Sequence, residues 1–238
     1  MMSTSRAMTS LLQSAQGGVL TLSLNRPDKL NAIDNELARA LLEALTAADR
    51  SPDVRVVLLQ GNGRAFCAGR DVDQAPTEDD LTLTQQVATA IVRCRRPVIA
   101  AVHGWVLGAG LEWMLNADIV IAARGARFKL PEASLGVFVT GGISAILPAV
   151  AGLARAKALM LLGDEFSAAE AQAWGLVWAV VDEDELVDQA LCLAQRLGAI
   201  DPPVAERFKR VLNDIGLPAF EHAVGIESAM QRELMSRR

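Results

Sequence analysis

Cysteine and histidine are scarce in this chain. Cys67, Cys94 and Cys192 lie far apart with no CxxC pair, and only two histidines are present. That argues against a disulfide framework and against a structural zinc site, so no metal site is expected. A surplus of positive charge is also missing. The net charge is −5 and the basic residues are scattered, whereas a nucleic-acid-binding face gathers cations against phosphates. No nucleic-acid partner is expected, although a local basic pocket for a small anion stays open. Long apolar runs are lacking too. Residues 97–102 and 177–181 fall far short of the roughly 20 residues that span a bilayer. Residues 1–14 contain Arg6 but no extended apolar stretch of a secretory signal. No membrane partner is expected, and a reducing, cytoplasmic setting is the default.

What is present is apolar content in a chain long enough to bury it. With 238 residues and 51% hydrophobic composition, the chain fits one α/β domain with a helical appendage, or two small domains. Residues 1–16 are small and polar without periodicity and read as a flexible leader. Residues 19–24 read as a strand. Asp34 is a plausible N-cap for a helix with Leu37, Leu41, Leu45 and Ala48 on one face. Residues 54–59 and 98–102 are near-continuous apolar runs, as in strands buried on both faces. Leu83, Val87, Ile91 and Cys94 lie at helical spacing between them. Residues 104–110 read as a glycine-punctuated turn, 112–116 as a short helix and 118–122 as a strand. The alternation implies parallel strands with right-handed crossovers. Residues 17–182 are read as the α/β core. Residues 183–238 read as a helical region, drawn as a separate layer. No internal repeat or low-complexity tract is evident.

Two loops follow buried strands: residues 65–71, Ala-Phe-Cys-Ala-Gly-Arg-Asp, and residues 104–112, Gly-Trp-Val-Leu-Gly-Ala-Gly-Leu-Glu. Ligands of α/β folds sit just past the carboxyl ends of such strands. Small residues let a ligand approach the backbone, and two N–H groups there could stabilise a developing oxyanion. Tight turns chosen for packing are the competing reading. Two acids, Glu112 in an apolar helix start and Glu132 after Pro131, could perform general acid/base work in one cleft. Each could equally be an exposed helix-start or turn acid. His103 and Cys67 have no partner placed by the sequence. The tryptophans 105, 113, 174 and 178 read as core or subunit packing.

In order, the motifs Asn25-Arg26-Pro27-Asp28-Lys29-Leu30-Asn31-Ala32, Phe66 to Asp71, Pro97 to Gly104 with Gly108 to Glu112, and Phe128 to Gly136 resemble the crotonase (enoyl-CoA hydratase/isomerase) superfamily. Leu153 to Ala156 and Ala168 to Val177 continue the resemblance, which covers roughly residues 18–235. It implies an α/β, crotonase-like (ClpP/crotonase) spiral of ββα units with a C-terminal helical trimerisation region. It implies an enoyl-CoA hydratase that converts a 2-enoyl-CoA thioester to 3-hydroxyacyl-CoA without a separate cofactor. The backbone N–H groups of Arg70 and Ala109 would form the oxyanion hole. Glu112 would activate water and Glu132 would deliver a proton to the α-carbon. Coenzyme A would lie along Arg26, Lys29, Ala32, Ala68, Arg70, Asp71 and Val72, with Asp71 also able to hold its loop. A homotrimer or dimer of trimers is implied. The superfamily also performs enoyl isomerisation, decarboxylation and C–C hydrolysis, and a non-catalytic acyl-CoA binder is a further alternative. Many relatives carry one more helix over the active site. Here that cover is expected to be missing or supplied differently.

Overall fold

The structure, a computed structural model, describes residues 9–71 and 77–237. Strands β1 (Leu11–Gln16) and β2 (Val19–Leu24) form a hairpin. Helix α1 (Asn35–Arg50) leads to β3 (Val56–Gly61), and α2 (Glu78–Arg93) to β4 (Val98–Val102). Two ββα units follow in tandem. The first is β4 with β5 (Trp105–Leu107) and α3 (Ala109–Leu115). The second is β6 (Ile119–Ala123), β7 (Arg127–Lys129) and α4 (Glu132–Leu135). Next come α5 (Ile143–Ala151), α6 (Leu153–Leu162), β8 (Phe166–Ser167), α7 (Ala168–Ala173) and β9 (Ala179–Val181). The described chain closes with α8 (Leu186–Gly198), α9 (Pro202–Gly216) and α10 (Phe220–Met235).

The main sheet has six strands in the order β1-β2-β3-β4-β6-β9, and every pairing except β1 with β2 is parallel. Its apolar runs are explained by burial on both faces. Val57, Leu59, Val98, Ala100 and Val102 join the large core with α1, α2 and α3. Their neighbours Val56, Leu58, Ile99 and Ala101 join a second core under Leu186, Ala190 and Ala194 of α8. A strand turns successive side chains to opposite faces, so both sets must be apolar. Helix α1 begins where expected, with the Asp34 side chain accepting from Leu37 N at 2.8 Å. Thr77 and Asp80 form a reciprocal capping box at the start of α2.

Three expectations are corrected. Residues 11–16, read as leader, form an edge strand; only Leu11 of it is buried, and the tight turn at Gly17-Gly18 has φ of 59° and 83°. Two glycines at positive φ make the kind of turn that joins a twisted hairpin. The C-terminal helices are not a separate layer, because α8 packs directly on the sheet and Phe220 of α10 enters the main core. The turn at 104–110 contains β5, which belongs to a small second sheet ordered β5-β7-β8. Helix α9 is tied to the body by Lys209, whose Nζ lies 2.8 Å from Asp118 Oδ2 and donates to the Ile91 carbonyl at 3.0 Å. No helix among the described residues is long and apolar enough to cross a membrane.

Candidate active site

The first motif folds into a knot of backbone contacts. Leu30 and Asn31 both adopt positive φ, 51° and 56°. The conformation is sparsely populated for side-chain-bearing residues and persists only when neighbours hold it. Here the buried Asn31 carboxamide does so. It donates to the Asn62 and Ala65 carbonyls at 2.9 and 2.8 Å and accepts from Arg26 N at 2.8 Å. The same knot seats the loop at 65–71. Ala68 N donates to the Leu30 carbonyl, Ile33 N to the Gly69 carbonyl and Asp71 N to the Ile33 carbonyl. Backbone groups of successive extended residues alternate in direction, so the Arg70 N–H points away from Ile33.

The second loop lies alongside the first. Cys67 pairs with Val106 of β5, and Leu107 N donates to the Cys67 carbonyl at 2.9 Å. A Cβ on Gly69 would come within 2.8 Å of the Leu107 carbonyl and 3.5 Å of Ala109 N. Only glycine permits that approach, which sets residues 69–70 beside the start of α3. Ala109 opens α3, and first-turn amides lack an intrahelical partner. On its other side, Gly108 N donates to the Lys129 carbonyl of β7 at 3.0 Å. The expected residues Arg70, Ala109, Glu112 and Glu132 therefore gather at one place.

The two acids occupy matching positions, each in the first turn of the helix that ends a ββα unit. Neither is an exposed turn acid: Glu112 is 1% exposed and Glu132 9%. Glu112 Oε2 accepts from Thr140 N at 3.0 Å and also from Gly141 N. Glu132 Oε2 is buried without a hydrogen-bond partner among the described residues. Its Oε1 lies 2.6 Å from where a Cβ on Gly108 would fall. Burial pushes the Glu132 carboxyl up to about 7. Burial, then the charges of Glu132 and Glu227, push Glu112 well above the carboxylate range. Such a cluster binds a proton near neutrality, which a general acid requires.

The mouth of the site is built differently. Arg26, Lys29, Arg70, Asp71 and Asp80 line a cleft of about 430 Å³. The Arg26 guanidinium contacts Asp34 and Asp71 at 3.1 Å each, so it braces the two loops against each other. Arg70 pairs with Asp80 of α2 at 2.6 Å. Asp71 thus holds its loop, as its position allowed. Ala32 and Ala68 contribute mainly backbone, Ala32 through its carbonyl to Arg26. Val72 lies outside the described residues.

The other tempting side chains are structural. His103 Nε2 is bonded to the Gly63 carbonyl at 2.8 Å. The Cys67 thiol is buried and pushed up to about 12. Trp113 is buried and Trp174 packs on Phe166, whereas Trp178 is exposed. The residue that sequence reasoning missed is Glu227 of α10. It is fully buried and accepts from Gly142 N at 2.7 Å and Ser144 N at 2.8 Å. Gln231, one turn on, accepts from Phe138 N at 2.7 Å. These contacts tie α10 to the segment at 138–144, next to the Glu112 carboxyl.

Two sheets wound from ββα units, with paired glycine loops and two buried acids at their helix starts, define an acyl-CoA enzyme of crotonase type. A family model for enoyl-CoA hydratase/isomerase matches residues 14–238, and the chain belongs to that family. It is 37% identical over 235 residues to the 1,2-epoxyphenylacetyl-CoA isomerase of Escherichia coli K12, covering 94% of this chain and 90% of that protein. It is 35% identical over 234 residues to the 2,3-dehydroadipyl-CoA hydratase of the same organism, covering 96% and 90%. An enoyl-CoA hydratase structure from Mycobacterium avium subsp. paratuberculosis K-10 superposes with a TM-score of 0.91 at 31% identity, covering 95% of this chain and 93% of that one.

Proposed function

We propose that this enzyme hydrates a 2-enoyl-CoA thioester to the 3-hydroxyacyl-CoA. The observation that carries the reading is the pair of buried carboxylates, Glu112 and Glu132, beside the adjoining loops at 69–70 and 108–109. In this mechanism the thioester oxygen accepts from the backbone N–H groups of Arg70 and Ala109. Water oxygen bonds to C3 as its proton passes to Glu112. Charge gathers on the thioester oxygen as an enolate, and Glu132 protonates C2. One oxyanion-hole donor typically lowers the barrier by about 2.7–4 kcal/mol. The coenzyme A portion runs along the cleft at Arg26, Lys29, Arg70 and Asp71. No separate cofactor takes part. The exposed apolar side chains Phe208, Leu212 and Ile215 of α9 support self-association, read as a homotrimer or a dimer of trimers; light scattering that gave a monomer would reject that assembly.

The test is loss of enoyl absorbance over a panel of 2-enoyl-CoA chain lengths, aromatic acyl groups included. Glu112→Gln and Glu132→Gln should each lose about 10²–10⁴-fold in kcat while coenzyme A binding survives. Full activity in either variant rejects the assigned roles. Membership of the enoyl-CoA hydratase/isomerase family keeps enoyl isomerisation as a second reading. Turnover of 3-enoyl-CoA but not 2-enoyl-CoA would decide for it.

A further inference from the structure

The segment joining α4 to α5 carries no catalytic side chain, yet polar groups from two elements hold its amides. Glu112 of α3 takes Thr140 N and Gly141 N. Glu227 of α10 takes Gly142 N and Ser144 N, one amide on each carboxylate oxygen. Gln231 takes Phe138 N. The two glycines are what allow this. A Cβ on Gly141 would lie 2.8 Å from Glu112 Oε2, and a Cβ on Gly142 would overlap the Phe220 ring of α10.

We propose that Glu227 is a positioning residue for the acid pair. Its carboxylate and that of Glu112 clamp neighbouring amides, Gly142 and Ser144 on one and Thr140 and Gly141 on the other, so α10 sets both the seat and the charge of Glu112. The inference rests on the hydratase reading only for its kinetic readout. It has a structural half and an electrostatic half. Structurally, the turn leads directly from the helix that carries Glu132, so loosening it disturbs both acids. Electrostatically, the buried Glu112 carboxyl of α3 feels the charges of two other buried carboxyls, Glu132 of α4 and Glu227 of α10. None of the three forms an ion pair among the described residues. Helix α5 contains no ionisable residue. Arg93 of α2 and Arg232 of α10 are engaged elsewhere, Arg93 with Asp214 and Glu221, and Arg232 with Glu78. The Glu227 charge is one cause of the raised Glu112 carboxyl, so its removal favours the ionised form of Glu112.

Glu227→Gln keeps the shape, removes the charge and leaves a single acceptor for two amides. It should lower kcat about 10- to 100-fold, as a small misplacement of a reacting group does, with KM changed less than about threefold. The acid limb of the kcat profile should move to lower pH. Glu227→Asp keeps the charge but shortens the reach. It should lose kcat while leaving that limb in place, and it carries the test if the glutamine variant does not fold. A carbon-13 titration of labelled glutamates needs no substrate, with the Glu112 carboxyl assigned by its disappearance in Glu112→Gln. That resonance should titrate lower in Glu227→Gln than in the wild type. An unchanged titration, or a Glu227→Asp enzyme with wild-type kcat, overturns the inference. A shifted titration in an enzyme that hydrates no enoyl thioester upholds the inference and rejects the hydratase reading instead.

Discussion

The mouth of the site and its interior handle charge in opposite ways. At the mouth, Arg26 is balanced by Asp34 and Asp71, and Arg70 by Asp80, all partly exposed. Inside, Glu112, Glu132 and Glu227 are buried without a cation partner among the described residues, and backbone amides hold Glu112 and Glu227 while Glu132 Oε2 has no hydrogen-bond partner there. Paired charges near water are worth little individually and mainly fix loop geometry. Unpaired carboxyls in a dry site are costly unless they keep a proton, and a kept proton can be donated. The difference separates the part of the molecule that grips from the part that reacts.

The strongest way to break that comparison is through stability. Burial holds the Glu132 carboxyl at about 7 against an ordinary 4.5. The folded state therefore keeps its proton where the unfolded chain has lost it, and stability falls as pH rises from about 4.5 through 7. Glu132→Gln removes that penalty. It should be more stable than the wild type by on the order of 3 kcal/mol at pH 8 and nearly equal at pH 4.5. Denaturant melts at the two pH values check this, and equal differences would show that the carboxyl is not strained by burial. Next, Gly108→Ala places a methyl against Glu132 Oε1 and strains a residue at φ 48°. It should cost about 100-fold in kcat with the fold intact by circular dichroism. At the mouth, Arg26→Ala should raise KM for a 2-enoyl-CoA about tenfold and change kcat less than about threefold. The smallest effect belongs to Arg70→Ala. It should destabilise by no more than about 1 kcal/mol and keep its kcat, because the proposed oxyanion donor is main chain. A large kcat loss there would blur the division between mouth and interior.

Much of the core was legible because buried parallel strands need apolar residues on both faces, and residues 54–59 and 98–102 show that directly. Asp34 announced α1 because its chemistry as an N-cap is local. The edge strand β1 escaped because five of its six side chains face water and carry no pattern. The Gly17-Gly18 pair was its one signal, a hairpin turn before a clear strand. Strands β5, β7 and β8 are two or three residues long, too short for any periodicity to register. Glu112 and Glu132 could be named from motif order, but their burial could not. Glu227 was hidden among Glu221 and Glu233 on an otherwise charged helix, since only packing against residues 142–144 distinguishes it.

The three thiols carry a practical consequence of the way this fold shields its loops. Cys67 and Cys94 are buried, and only Cys192, on α8, is exposed. Thiolate, not thiol, attacks electrophiles, and burial suppresses it at Cys67. Helix α8 covers the sheet face that bears the second core, while both glycine loops belong to the other core. A fluorescent maleimide would thus mark the native protein at a single address, making the chain a ready-made one-dye reporter.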